Sequence, residues 1–193
     1  MGLSRVTLVL GGARSGKSAW AERRAAASGR PVLYLATATA GDEEMAERIA
    51  AHRAARPPTW RTAEAPLEVV AALETHARPG DVVLLDCLTL WVSNALLSRL
   101  GDGAEGAPPA AWRLTEEDLV TEATGLVAGA RELGVDLIAV SNEVGLGLVP
   151  PYPLGRRFRD ALGRVNQAVA AAADTVVLMV AGLPVDLRKL APE

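Results

Sequence analysis

The sequence predicts an α/β doubly wound fold of P-loop type: a mainly parallel sheet with helices on both faces. Three observations support this. Short apolar runs alternate with longer alanine-rich segments of helical period. The apolar runs are hydrophobic throughout rather than at every second residue, which suits strands covered on both sides. The first run leads into "GGARSGKS", a glycine-rich stretch that opens a helix. With 193 residues the chain can enclose one large core but not two comfortable ones, so a single catalytic domain over residues 1–193 is expected.

Taken in order, "RVTLVL" (Arg5 to Leu10) is the first strand, and Gly11 and Gly12 end it. A helix from Lys17 to Ala27 follows, and "PVLYLAT" (Pro31 to Thr37) is the second strand. The segment Glu43 to Ala54 has helical period, with Met45, Ile49 and His52 on one face. Leu67 to His76 is a further helix, and His76 at its end can interact favourably with the helix dipole. "DVVLLD" (Asp81 to Asp86) is the third strand, followed by a helix from Leu88 to Leu100. That helix is more apolar than one-sided exposure requires, so either deep burial or an interface between copies would explain it.

"GDGAEGAPPAAWR" (Gly101 to Arg113) is densest in Gly and Pro and is expected to be a surface excursion. A helix from Thr115 to Leu133, the strand "VDLIAVS" (Val135 to Ser141), a helix from Gly155 to Ala173 and the strand "TVVLMV" (Thr175 to Val180) complete the pattern. The irregular "GLGLVPPYP" (Gly145 to Pro153) follows the fourth strand closely, and loops after strand carboxyl ends line the ligand crevice of open parallel sheets. The neighbouring Asn142 and Glu143 are either polar ligand contacts or parts of a capped turn.

Composition narrows the function. No apolar stretch reaches the roughly 18 residues of a membrane span. The apolar N-terminal run is cut short by glycines and leads to no signal-peptidase site, so a soluble cytoplasmic protein is expected. Cys87 is the sole cysteine, which excludes an internal disulfide and a cysteine-based zinc site. A net charge of −3, no basic run and few aromatic residues give no footprint for nucleic acid, so the expected ligand is a small molecule. Lys17 and Lys189 are the only lysines, so Lys17 stands out where a compact ammonium suits a phosphate oxygen.

Gly11, Gly12, Ala13, Arg14, Ser15, Gly16, Lys17 and Ser18 match G-x-x-x-x-G-K-[ST] without a mismatch, after a strand and before a helix. Glycines let backbone N–H groups converge on phosphate oxygens, and the helix N-terminus adds a favourable dipole. Lys17 would reach the β and γ phosphates and Ser18 would offer its hydroxyl to Mg²⁺. Asp86, closing its apolar strand, is placed for a metal role of the Walker B kind; as a favoured N-cap residue it could instead cap the next helix. His52 lies among Arg48, Arg53 and Arg56, a setting that favours neutral imidazole and could neutralise a phosphate under attack. A half-buried bystander on an amphipathic helix satisfies the same pattern.

Several segments together resemble the bifunctional adenosylcobinamide kinase/adenosylcobinamide-phosphate guanylyltransferase family of cobalamin biosynthesis. They are "LVLGGARSGKSAWAE", "VLYLATA", "DEEMAERIAAHRAARPPTWRTAE", "LLDCLTLWVSN", "AVSNEVGLGLVP" and "RRFRDALGRVNQAVAAAADTVVLMVAGLPV". They occur in the family's order and cover nearly all of the chain outside Gly101 to Arg113. The resemblance implies two steps on a corrinoid: phosphorylation of adenosylcobinamide with ATP or GTP, then transfer of GMP from GTP through a guanylyl-histidine. It implies His52 as the guanylylated residue and Lys17 as a catalytic one; some relatives carry two consecutive histidines where this chain reads "AAHR". It also implies nucleotide contacts at Gly11 to Ser18, Ala36, Thr37, Ala38, Arg53, Ala54, Ala55, Arg56, Glu64 and Asp86. Mg²⁺ would sit at Ser18 and Asp86, and a homo-oligomer is expected. Two other functions satisfy the phosphate loop alone: a kinase of another small alcohol, and a RecA-like ATPase or switch.

Overall fold

The computed structural model describes residues 4–39, 41, 43–54, 56–101 and 106–190, without the side chains of Glu44, Met45, Arg48, Ala51 and His52. In chain order the elements are β1 (Val6–Gly11), α1 (Lys17–Ala26), β2 (Val32–Ala36), α2 (Glu43–Ala54), β3 (Arg61–Glu64), α3 (Val69–His76) and β4 (Val82–Asp86). Then come α4 (Leu88–Leu100), α5 (Pro109–Glu132), β5 (Asp136–Val140), α6 (Pro153–Ala172), β6 (Thr175–Val180), β7 (Leu183–Asp186) and α7 (Leu187–Leu190).

The strands form one seven-stranded sheet in the order β3-β2-β4-β5-β1-β6-β7. Every pairing is parallel except β6 with β7. The five predicted strands are all present, with ends shifted by no more than about one residue, an ordinary ambiguity at element ends. Their continuous apolar character has the expected cause. Leu8, Leu35, Leu85 and Leu137 point into one core with α3, α4, α5 and α6, while Val9, Tyr34, Leu84 and Ile138 point into a second with Ala21 and Ala25 of α1. Within α4, Leu88, Trp91, Val92, Ala95 and Leu96 are buried, so deep burial accounts for most of that helix's apolar character.

Four differences from the sequence expectation have clear physical causes. β3 reads "RTAE", with no apolar run, because as an edge strand it needs only backbone pairing with β2. β7 folds back on β6 through Ala181 and Gly182, both at positive φ, a two-residue turn suited to an antiparallel hairpin. Its Pro184 is tolerated because β7 ends the sheet. Finally, α5 begins at Pro109, inside the expected Gly101 to Arg113 excursion. Pro108 and Pro109 start a helix here, proline being compatible with a first turn, and Trp112 anchors that turn in the core. α6 likewise starts at Pro153 rather than Gly155.

Candidate functional site

The parallel register brings three carboxyl-terminal strand residues level with one another. Ala36 of β2 pairs with Glu64 of β3 on one side and with Asp86 of β4 on the other. The phosphate loop leaves β1 two strands further along, with β5 between β1 and β4. The site is therefore assembled at the carboxyl edge of the sheet, where the fold leaves a crevice.

Local packing shapes the loop itself. A Cβ on Gly11 would lie 2.4 Å from Ser15 Oγ and 2.9 Å from the Met179 carbonyl oxygen, so the loop closes on its own strand only with glycine there. Gly16 has φ +91°, a left-handed conformation open to glycine, and it precedes α1 without any side-chain cap. A helix N-terminus capped by no side chain is a favourable place for an anion. The β6–β7 turn braces the loop from behind: the Gly182 N–H donates to the Ser15 carbonyl at 3.0 Å. The ammonium of Lys17 is folded over the loop and donates to the Gly12 carbonyl at 3.2 Å.

In front of the loop is a pocket of about 210 Å³. Lys17, Ser18, Ala36, Ala38, Arg53, Arg56, Glu64 and Asp86 all reach it, so eight of the seventeen expected nucleotide contacts line one pocket. Ala54 lines an adjoining depression together with Arg53 and Glu64, which form an ion pair. Thr37 stands behind the pocket, fully buried. Its hydroxyl donates to the Cys87 carbonyl at 2.8 Å and accepts from the Cys87 N–H at 2.7 Å, tying β2 to the end of β4. Ala55 and the His52 side chain lie outside the described residues; His52 follows Ile49 by three positions on α2 and precedes Arg53 by one, and both of those neighbours line the pocket.

Asn142 also lines the pocket, whereas Glu143 accepts the Gly145 N–H at 2.9 Å and caps its own turn. Tyr34 also lines the pocket, and sequence reasoning passed it over as a site residue, as it did the apolar Leu90 and the buried Cys87. Its signal was faint: a lone hydroxyl in the apolar run "PVLYLAT". The Tyr34 hydroxyl donates to Asp86 Oδ2 at 2.8 Å. Burial, then the Asp86 charge, pushes its pKa well above the ordinary phenol value, so it stays protonated and a donor.

The donor chemistry suits a hard divalent cation. Ser18 Oγ donates to Asp86 Oδ1 at 3.4 Å, a hydroxyl and a carboxylate side by side at the loop's edge. Among the described residues no group of three or more His, Cys, Asp or Glu converges, so such a cation would draw further oxygens from a bound phosphate and water. Cys87 contributes no reactive thiolate: burial, then the neighbouring Asp86 charge, raises its pKa to about 11. Native protein at pH 8 is expected to resist iodoacetamide, and protein unfolded in guanidinium to take up one carbamidomethyl group. Intact mass checks this, and rapid native labelling would contradict it.

A parallel sheet, a glycine-rich loop capping a helix and an acidic residue ending a nearby strand define a P-loop nucleotide-binding protein. Two solved structures share this fold. They are the assembled ATPase EscN of the enteropathogenic E. coli type III secretion system (TM-score 0.57, 12% identity, 94% of this chain and 44% of that one) and a prototypical type III secretion ATPase of pathogenic bacteria (TM-score 0.54, 12% identity, 96% and 57%). At that identity the likeness concerns the fold alone. The family model for cobinamide kinase / cobinamide phosphate guanyltransferase matches residues 7–187, and the chain belongs to that family. The bifunctional adenosylcobalamin biosynthesis protein CobP of Pseudomonas aeruginosa is 47% identical over 181 residues, covering 94% of this chain and 96% of the relative. CobU of Escherichia coli K12, with the same descriptive name, is 42% identical over 183 residues, covering 94% and 98%. No helix among the described residues is long and apolar enough to cross a membrane.

Proposed function

We propose that this chain performs two successive transfers on adenosylcobinamide: phosphorylation with ATP or GTP, then guanylylation with GTP. The observation that carries this reading is the single pocket joining the phosphate loop to the Arg53, Arg56 and Glu64 segment beside His52. Family membership supplies the substrate class. The same reading makes the chain one catalytic domain in a cytoplasmic homo-oligomer, acting on small molecules.

In the first transfer an alcohol oxygen of the corrinoid attacks the γ phosphorus, and the bond from that phosphorus to the bridging oxygen breaks, releasing a nucleoside diphosphate. The loop N–H groups and Lys17 hold the transferring group and its developing charge, and positioning supplies most of the acceleration. In the second, a His52 ring nitrogen attacks the α phosphorus of GTP. A P–N bond forms, the α–β bridging bond breaks and pyrophosphate leaves, held by the same loop. An oxygen of the phosphorylated corrinoid then attacks that phosphorus, breaking the P–N bond and restoring the histidine. Mg²⁺ at Ser18 and Asp86, when bound, would neutralise part of the triphosphate charge.

GTP labelled separately at the α and γ phosphorus tests the scheme. After incubation with Mg²⁺ and denaturation, protein-bound label is expected from α-labelled GTP alone, labile to acid and stable to alkali as a phosphoramidate should be. Active, nucleotide-binding protein that takes up no α label would remove the guanylyl-transfer half.

A further inference from the structure

We propose that Tyr34 is a positioning residue of the nucleotide site, its hydroxyl holding the Asp86 carboxylate beside Ser18 and its ring holding the Arg56 guanidinium for a nucleotide phosphate. Tyr34 is 2% exposed and sits on β2, paired on both sides by β3 and β4, so its ring is fixed by the core. It acts on two groups at once. Its hydroxyl occupies Oδ2 of Asp86 and so leaves Oδ1 turned to Ser18 Oγ. Without that bond the short carboxylate could rotate, and the oxygen pair suited to a divalent cation would lose its fixed geometry.

On its other side, the Arg56 Cζ lies 3.4 Å from the Tyr34 ring centroid. Nε and Nη1 of Arg56 are buried without a hydrogen-bond partner among the described residues. A buried cation with vacant donors is costly unless an anion completes it, and the stack offsets only part of that cost. Arg56 lines the pocket with Lys17, so a phosphate oxygen there would meet both cations. Tyr34 thus joins the cation side of the pocket to its carboxylate side.

The inference rests on the reading of the pocket as a nucleoside triphosphate site, and the test separates the two. Binding of α,β-methylene GTP, which cannot release pyrophosphate by the proposed route, is measured calorimetrically in EDTA and in excess Mg²⁺. Electron paramagnetic resonance of Mn²⁺ reports the cation directly. Tyr34→Phe keeps the ring and loses the hydroxyl: its affinity in EDTA is expected to match wild type, while the gain on adding Mg²⁺ shrinks about tenfold and the Mn²⁺ signal weakens.

Tyr34→Leu loses the stack as well, and its affinity is expected to fall about tenfold in EDTA too. Should that variant fail to fold, Arg56→Gln in a Tyr34→Phe background replaces it, with the same fall expected in EDTA. Tyr34→Phe that binds nucleotide and Mn²⁺ as wild type does would overturn the carboxylate half. Unchanged affinity in EDTA on losing the stack or the guanidinium would overturn the arginine half. Wild-type protein that binds no nucleotide would overturn the site reading and this inference together.

Discussion

His52→Ala protein incubated with Mg²⁺ and α-labelled GTP is expected to carry no protein-bound label, a loss to background. Its phosphorylation of adenosylcobinamide should stay within about twofold of wild type, since that transfer makes no bond to the histidine. The asymmetry follows from the two routes: only guanylyl transfer needs a P–N bond, and alanine offers no atom to form one. The surroundings of α2 should survive, because Arg53 is held by Glu64 and Arg56 by its stack on Tyr34, neither through residue 52. Loss of both activities in a folded variant would mean that His52 supports the pocket rather than acting as nucleophile. Label in the variant would move the nucleophile elsewhere.

Lys17→Ala is expected to lower both reactions, each by about a hundredfold or more, the scale of removing one donor aimed at developing charge. The pocket brings Lys17 together with every described pocket residue that the sequence marked for nucleotide, and the loop is already closed around it. Its ammonium rests on the Gly12 carbonyl, so exchanging that contact for a phosphate oxygen needs only side-chain rotation. Circular dichroism should show the variant folded, since backbone bonds such as Ser15 N–H to the Gly12 carbonyl and Gly182 N–H to the Ser15 carbonyl do not involve the Lys17 side chain. Guanylyl transfer that persists while phosphorylation is lost would require a second nucleotide site.

Much of this site could be read from the chain because its parts are contiguous. Gly11 to Ser18 form one loop whose residue types are each demanded by backbone geometry or by phosphate, so the motif carries its own context. Asp86 was legible as the charged end of an apolar strand. Arg53 and Arg56 were legible as the cations around His52, whereas Glu64 entered through family resemblance alone, because nothing in its local spacing says that β3 will pair beside β2 and level it with Asp86. Thr37 stood in the same resembling segment, yet its hydroxyl serves the Cys87 backbone, a contact made between strands 50 positions apart.

The sequence by itself determined the alternation of strands and helices, the phosphate loop, the family and the two-step chemistry that family implies. The first two are written in local periodicity and a contiguous motif, the family and its chemistry in the order of six segments along the chain. Only the tertiary structure decided the strand order, the β6–β7 brace behind the loop and the role of Tyr34. Those depend on which buried faces and strand edges meet, and a lone hydroxyl in an apolar run acquires its meaning only when Asp86 and Arg56 are placed on either side of it.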